Sequence, residues 1–574
     1  MNKLTAGTKK INSTDLYICL FLYLIIWIAY FLKINHYGIY EDDTRFVAHP
    51  ANLNFKELLE LLKFNVLNIE GGQGRIIGFT LPQFLVFIMY NLGGLAAVYT
   101  LGTFIILINA FLVYRFVSKL MPVEFAVLAA LIFILYPIDT TKPLLTHIFQ
   151  LQLSLTFLLL AMNQYLKGKL ISSYLIAFCS LLTYEIAFLP FLVVPLFRYR
   201  WNKKLFKNLV VHVVVFAGIF IILFMVRKLM GESRVSGMDN SNMVAHFILS
   251  PVYGMAFSAY AFLLAIIEVI HNFKDLLWVF LTGLLLFSGF GYFLYRRSGS
   301  RAAGNDITQS EKTGSDPSRQ NPEIAEIPVI QLLIASFLML LSSYLLGFTR
   351  FPPAALHGRA TSVHLASSVA GSILATVIFY FIYSIIRGRN LRTILNFGII
   401  ILLSILLSRG MLIQNDFEKS WITQKMFWTQ LVEKCPDIRN NTILLVDADK
   451  EEYEVENIYT FSWSLPEVLG ILFKFDEDWN HPPKVVFNGV HYEEGLQADA
   501  RGIYFTPVYP FLFENRDTVY LEDQNVICLE FKQNILSRRD SVLQIDSASV
   551  RTSVPDPDII PDYQKQKIAK YYLN

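Results

Sequence analysis

The sequence predicts a polytopic α-helical membrane protein of about eleven spans with a small α/β domain at its C-terminal end. Two observations carry this. Charged residues are 17% of the 574 and hydrophobic residues 54%, with 47 Phe, whereas a soluble globular chain carries about 25% charge. The apolar residues also gather into runs of about 20, the length that crosses a bilayer. A mean hydropathy of +0.45 agrees. Together these exclude a disordered chain, a disulfide-dense secreted domain and an ordinary cytosolic enzyme. The net charge of +3 is too small to argue for a nucleic-acid partner.

The first span, Leu16 to Leu32, follows Lys3, Lys9 and Lys10. No small-residue cleavage site precedes Lys33, so the span is retained and residues 1–15 stay cytoplasmic. Further apolar runs fall at 95–114, 122–137, 143–166, 170–197, 205–228, 251–271, 275–295, 328–348, 364–387 and 391–408. The run 170–197 carries Tyr184-Glu185 near its middle and Pro190 beyond. A carboxylate at mid-bilayer is costly, so two short helices meeting at Tyr184-Glu185 are expected. That split returns Arg198, Arg200, Lys203, Lys204 and Lys207 to the inner face. If both 251–271 and 275–295 crossed, Arg296, Arg297, Arg301, Arg387, Arg389 and Arg392 would all lie outside. Segment 251–271 begins at Ser250-Pro251 and carries Glu268, so it is expected to be re-entrant or interfacial.

The multi-span region is therefore 16–410, with an outer loop at 35–75. Within that loop Phe55, Leu58, Leu59, Leu62 and Val66 have the spacing of an amphipathic helix lying on the membrane. Residues 76–93 read as a short helix entering the membrane. Residues 296–327, rich in Ser, Gly, Arg and Asp, read as a structureless cytoplasmic linker. Residues 411–574 form the polar, extracytoplasmic domain. Its strand-like runs are Thr442–Val446, Lys484–Phe487 and Val526–Phe531, with a turn signal at Asn488-Gly489. The stretch with Pro555, Pro557 and Pro561 reads as extended. Cys19 and Cys179 lie in apolar runs, while Cys435 and Cys528 have the option of pairing if their domain is extracytoplasmic. No CxxC or His/Cys cluster suggests zinc.

This topology collects unusual polar residues at the outer face. They are Glu41, Asp42 and Asp43 after the first span, Arg75 at the loop end, Asp139 and Lys142 between two spans with His147 one turn further in, and Glu185 with Tyr184 at the hairpin apex. Arg350, His357 and Arg359 lie in a later Pro-rich loop. Cations outside run against the positive-inside tendency, and a pocket for an anionic headgroup gives them a reason. Carboxylates beside them supply acid/base groups. Each residue also has a plainer reading. The acidic pair is solvated, Lys142 pairs with Asp139 across a turn, and His147 is a satisfied helix histidine.

Four of these features resemble the C-type glycosyltransferase (GT-C) superfamily. They are Tyr40-Glu-Asp-Asp43 directly after span one, the amphipathic loop helix closing on Gly74-Arg75, Tyr136-Pro-Ile-Asp139 followed by Thr-Thr-Lys-Pro, and Thr183-Tyr-Glu185 at a hairpin apex. The resemblance covers about residues 10–410 and leaves the C-terminal domain unmatched. It implies transfer of a hexosyl or pentosyl group from a polyprenyl-phosphate donor to a glycan (lipopolysaccharide among them), lipid or protein acceptor. The place implied is the outer, periplasmic face of a bacterial inner membrane. On that reading Asp42 or Asp43 is the base for the acceptor hydroxyl, with Glu185 as the second candidate. Arg75, Lys142, Arg350, His357 and Arg359 stabilise the leaving phosphate. Glu41, Asp139, His147 and Tyr184 line the pocket. Asp42 and Asp43 also offer hard oxygen ligands for Mg2+ or Mn2+. The competing classes are a lipid-linked glycan flippase, an O-antigen-type polymerase or ligase, and a structural membrane protein.

Overall fold

The computed structural model describes residues 13–573 apart from 69–73, 230–239, 309–326, 346–352, 449–452, 476–478, 480, 493, 514–515, 523, 540–542, 546–547 and 551–563. Among the described residues eight helices are long and apolar enough to cross a membrane, and four shorter apolar helices accompany them. The helical order is α1 (Ser13–Ile26), α2 (Phe55–Leu67), α3 (Ile76–Val117), α4 (Val123–Ile134), α5 (Leu153–Leu166) and α6 (Leu170–Thr183). It continues with α7 (Lys203–Leu229), α8 (Asn240–His271), α9 (Phe273–Thr308), α10 (Val329–Ser342), α11 (Leu365–Ile385) and α12 (Arg389–Lys434). Helix α7 exposes Val211, Val214, Ile221 and Ile222. A helix that shows aliphatic surface on its outside suits a lipid solvent, where every backbone polar group is bonded internally.

Several local features follow from particular residues. Helix α2 starts on a capping box between Asn54 and Glu57. It buries Leu58 and leaves Phe55, Leu59, Phe64 and Val66 exposed. Helix α3 is broken at Gly93 (φ −160°) and Gly94 (φ 65°), so 76–92 and 95–117 are separate rods. A Cβ on Gly94 would sit 2.1 Å from the Tyr571 hydroxyl, which itself accepts from Leu95 N–H. Helix α6 ends at Thr183, Tyr184 is extended, and a 3-10 helix runs back over Leu189–Phe197. Pro190 and Pro195 remove donors there, and the 3-10 form, rising about 2.0 Å per residue, spans more depth for its length. The turn expected at Tyr184-Glu185 is thus present.

Helix α8 touches three other helices, two of them at their ends and α12 near its middle. Ser258 meets Tyr344 beyond α10, Phe262 stacks edge-on to Tyr136 beyond α4, and Glu268 binds Arg409 of α12. The α8 stretch Ile248–His271 is one of the eight helices long and apolar enough to cross a membrane. Helix α9 then packs along α1, with Phe287 and Phe290 against Phe21 and Phe293 against Tyr17. It extends to Thr308, so the first part of the stretch 296–327 is helical where a structureless linker was expected. Residues 309–326 lie outside the described set.

The C-terminal region carries the three expected strands in one sheet. β1 (Thr442–Ala448) lies between β2 (Lys484–Phe487) and β3 (Asn525–Lys532), both parallel to it, and β4 (Ile535–Arg538) pairs antiparallel with β3. Gly489 in the Asn488-Gly489 turn has φ +74°. The end of α12 packs on this sheet through Phe427, whose ring meets Phe461, Phe487 and Phe531. One continuous helix therefore joins the bundle to the sheet. The stretch with Pro555, Pro557 and Pro561 lies outside the described residues. Cys435 and Cys528 are both buried and free.

Candidate functional site at one end of the bundle

The acidic turn after α1 is built tightly. Glu41 has φ 46°, an uncommon conformation for a residue with a Cβ, and such strain costs about 1–3 kcal/mol. It places three consecutive carboxyl groups in different surroundings. Glu41 is buried, accepts from the Tyr459 N–H at 3.2 Å, and lies 3.4 Å from Arg359 Nη1. Asp43 is fully buried and accepts from Thr146 N–H at 2.6 Å and Thr146 Oγ1 at 2.5 Å. Asp42 is the partly exposed member, bound to Arg359 Nη2 at 2.5 Å and to Trp463 Nε1 at 3.1 Å. Burial pushes the Glu41 carboxyl up to about 7, against the Arg359 charge. Burial likewise pushes Asp43 up to about 7, against the Thr146 hydrogen bonds.

Arg359 opens a 3-10 turn, Arg359–His364, that leads into α11. Its guanidinium lies over the Trp463 ring at 4.4 Å. Trp463 comes from the C-terminal region, as do Tyr459 and Ser464, whose Oγ donates to the Glu41 carbonyl at 2.8 Å. The C-terminal region therefore forms one wall of the acidic turn.

Arg75 and Glu185 form the second pair. Arg75 Nε and Nη2 donate to the two Glu185 oxygens at 2.9 and 2.5 Å, and the guanidinium stacks 3.7 Å above the Tyr184 ring. Arg227 Nη1 approaches Glu185 at 3.7 Å. Tyr184, whose ring carries Arg75, is also among the groups near Arg359, so the two clusters are neighbours.

The loop after α4 braces the first cluster. Thr140 bonds Thr361, while Thr146 holds Asp43. Lys142 is fully buried, donates to the Tyr136 and Asp139 carbonyls, and lies 3.8 Å from the Asp139 carboxylate. Burial pulls its ammonium down to about 8, against that carboxylate. His147 is buried and its Nδ1 has no hydrogen-bond partner. His357 lies 3.5 Å from Glu268 and 3.7 Å from Glu456. Arg350 lies outside the described residues.

The structure thus brings Glu41, Asp42, Asp43, His147, Tyr184, Glu185, Arg75 and Arg359 to one end of the bundle. It keeps Lys142 and Asp139 in a buried pair behind them. Asp42 and Asp43 have separate sets of partners, so the hard-ligand pair considered for Mg2+ or Mn2+ is divided between an arginine and a threonine. Trp463, Tyr459, Ser464, Thr146 and Arg227 were not singled out in the sequence. Only Arg227, a cation at the end of an apolar run, left a readable signal there. Comparisons with protein-family models, curated proteins and solved structures returned no match for this chain. The chemistry of the site has to be read from its own geometry.

Proposed function

We propose that this chain is a membrane glycosyltransferase acting at the outer face, moving a sugar from a polyprenyl-phosphate donor to a cell-envelope acceptor. The observation that carries the reading is the Asp42–Arg359 pair. A partly exposed carboxylate and a partly exposed guanidinium lie side by side, at 23% and 32% side-chain exposure, at the end of an apolar bundle. Transfer breaks the bond from sugar C1 to the phosphate oxygen and forms a bond from C1 to the acceptor oxygen. Asp42 takes the acceptor proton. Negative charge grows on the departing phosphate, and Arg359 stabilises it. Asp43, buried against Thr146, holds the turn that presents Asp42. Arg75 and Glu185, tied to each other, fix the hairpin apex beside it. The bundle offers the apolar surface that a polyprenyl tail needs, and the exposed face of α2 rests on the membrane.

The test is a transfer assay with purified protein, a labelled polyprenyl-phosphate sugar and envelope acceptors. Wild type transfers label. Asp42→Asn lowers the rate by about 100-fold or more, the usual worth of a positioned base, while expression stays normal. Movement of the donor across vesicles without bond cleavage supports a flippase instead, and full activity of Asp42→Asn removes the base assignment.

A further inference from the structure

Glu268, His357 and Glu456 come from three separate parts of the chain: α8, the loop before α11, and the C-terminal region. One donor atom from each lies within 4.8 Å of the others. Glu268 Oε1 is 3.5 Å from His357 Nε2, and Glu456 Oε2 is 3.7 Å from His357 Nδ1. These gaps are too long for hydrogen bonds. The two contacts use different nitrogens of one imidazole, only one of which can ligate a given ion, so one of them is a donor–donor separation. It is near the separation, about 3.4 Å, of donor atoms that share a tetrahedral ion with bonds of about 2.0–2.2 Å, and the third donor stands within 4.8 Å of the other two. Two of the atoms also lack what buried polar atoms require. Glu268 Oε1 and His357 Nδ1 are shut off from solvent and have no hydrogen-bond partner. The other Glu268 oxygen accepts from Arg409 Nε at 2.7 Å. That contact orients the carboxylate so that Oε1 faces the histidine, which is how outer partners fix a metal ligand.

We infer that these three residues form a divalent metal site of the zinc type. One imidazole nitrogen and two carboxylate oxygens suit Zn2+ better than Mg2+ or Ca2+, which favour oxygen alone. Three protein ligands leave one position for water. Two carboxylates balanced by one arginine leave one negative charge, which a doubly charged ion more than neutralises. Glu456, 71% exposed, has room to swing onto the ion.

The ion staples the C-terminal region to the bundle. Glu456 is three residues before Tyr459, which binds Glu41, and His357 is two residues before Arg359. Metal binding therefore steadies the two strands of chain that hold Arg359 and Trp463 against Asp42.

The experiment uses the full chain in detergent, stripped with a chelator and titrated with Zn2+ alone, with metal content read by elemental analysis. The expected result is one Zn2+ per chain and a rise in apparent melting temperature on zinc addition. Glu456→Gln, a change at an exposed side chain, lowers zinc affinity by more than about tenfold and abolishes the thermal shift. His357→Ala does the same. Mg2+ at equal concentration does not displace the zinc. The inference is overturned by the absence of stoichiometric zinc. It is also overturned if both variants bind zinc like the wild type. No turnover is measured, so this outcome is independent of whether the chain transfers a sugar.

Discussion

Two buried carboxyl groups make the stability of this protein depend on pH in an unusual direction. Glu41 and Asp43 are each pushed up to about 7 by burial. An unfolded Glu or Asp titrates near 4. Between about pH 4 and pH 7 the folded chain therefore holds more protons than the unfolded one, and its stability falls as pH rises. Each pH unit of separation is worth about 1.4 kcal/mol, so the loss is about 3 kcal/mol for Glu41 and about 4 kcal/mol for Asp43. The perturbation is a pH series from 5 to 8 on wild type, Glu41→Gln, Asp43→Asn and the double variant. The assay is apparent melting temperature in detergent by tryptophan fluorescence. The wild type melts lower at pH 8 than at pH 5, and each single variant has a shallower slope. A wild-type melting temperature that rises with pH, or a double variant with the wild-type slope, would refute the reasoning. In either case the carboxylates would be ionised in the fold, stabilised by Arg359 and Thr146 more than burial penalises them.

Arg75→Ala leaves Glu185 without its bidentate partner and with Arg227 only at 3.7 Å. The expected loss is about 3 kcal/mol, near the low end for breaking a buried pair, read as a drop in the denaturation midpoint. Arg75→Lys recovers part of it, because an ammonium cannot match both oxygens. Gly38→Ala puts a Cβ 1.7 Å from the Trp421 ring, so the turn before Tyr40 and the upper part of α12 cannot keep their contact. A loss of folded protein on size-exclusion chromatography is the expected result. Cysteines introduced one at a time at Gly304 and Gly489 test orientation. A membrane-impermeant thiol reagent applied from outside labels Gly489→Cys and leaves Gly304→Cys unlabelled.

The apolar runs are what the sequence by itself determined. A bilayer-length run of Leu, Ile, Val and Phe has little choice of structure, because lipid offers no partner for an open backbone group. The break at Tyr184-Glu185 was readable for the same reason, since a carboxylate marks where a helix cannot continue through the membrane. The strands at 442–446, 484–487 and 526–531 were legible from local residue preference, and the strand pairs now show them in one sheet. The acidic turn, Arg75, Glu185 and Arg359 were legible as charges out of place. Their partners were not. Trp463 reaches Asp42 across 421 positions, and Arg359 reaches it across 317. Nothing in the local pattern of a tryptophan in a polar region says which carboxylate it will hold. Tertiary structure alone decided that Asp43 is sealed against Thr146 while its neighbour Asp42 stays accessible. It also decided that Glu268, His357 and Glu456 meet. The physical reason is range. Hydrophobic runs and backbone propensities act within a few residues, whereas an ion pair is specified by where separate helices end in space.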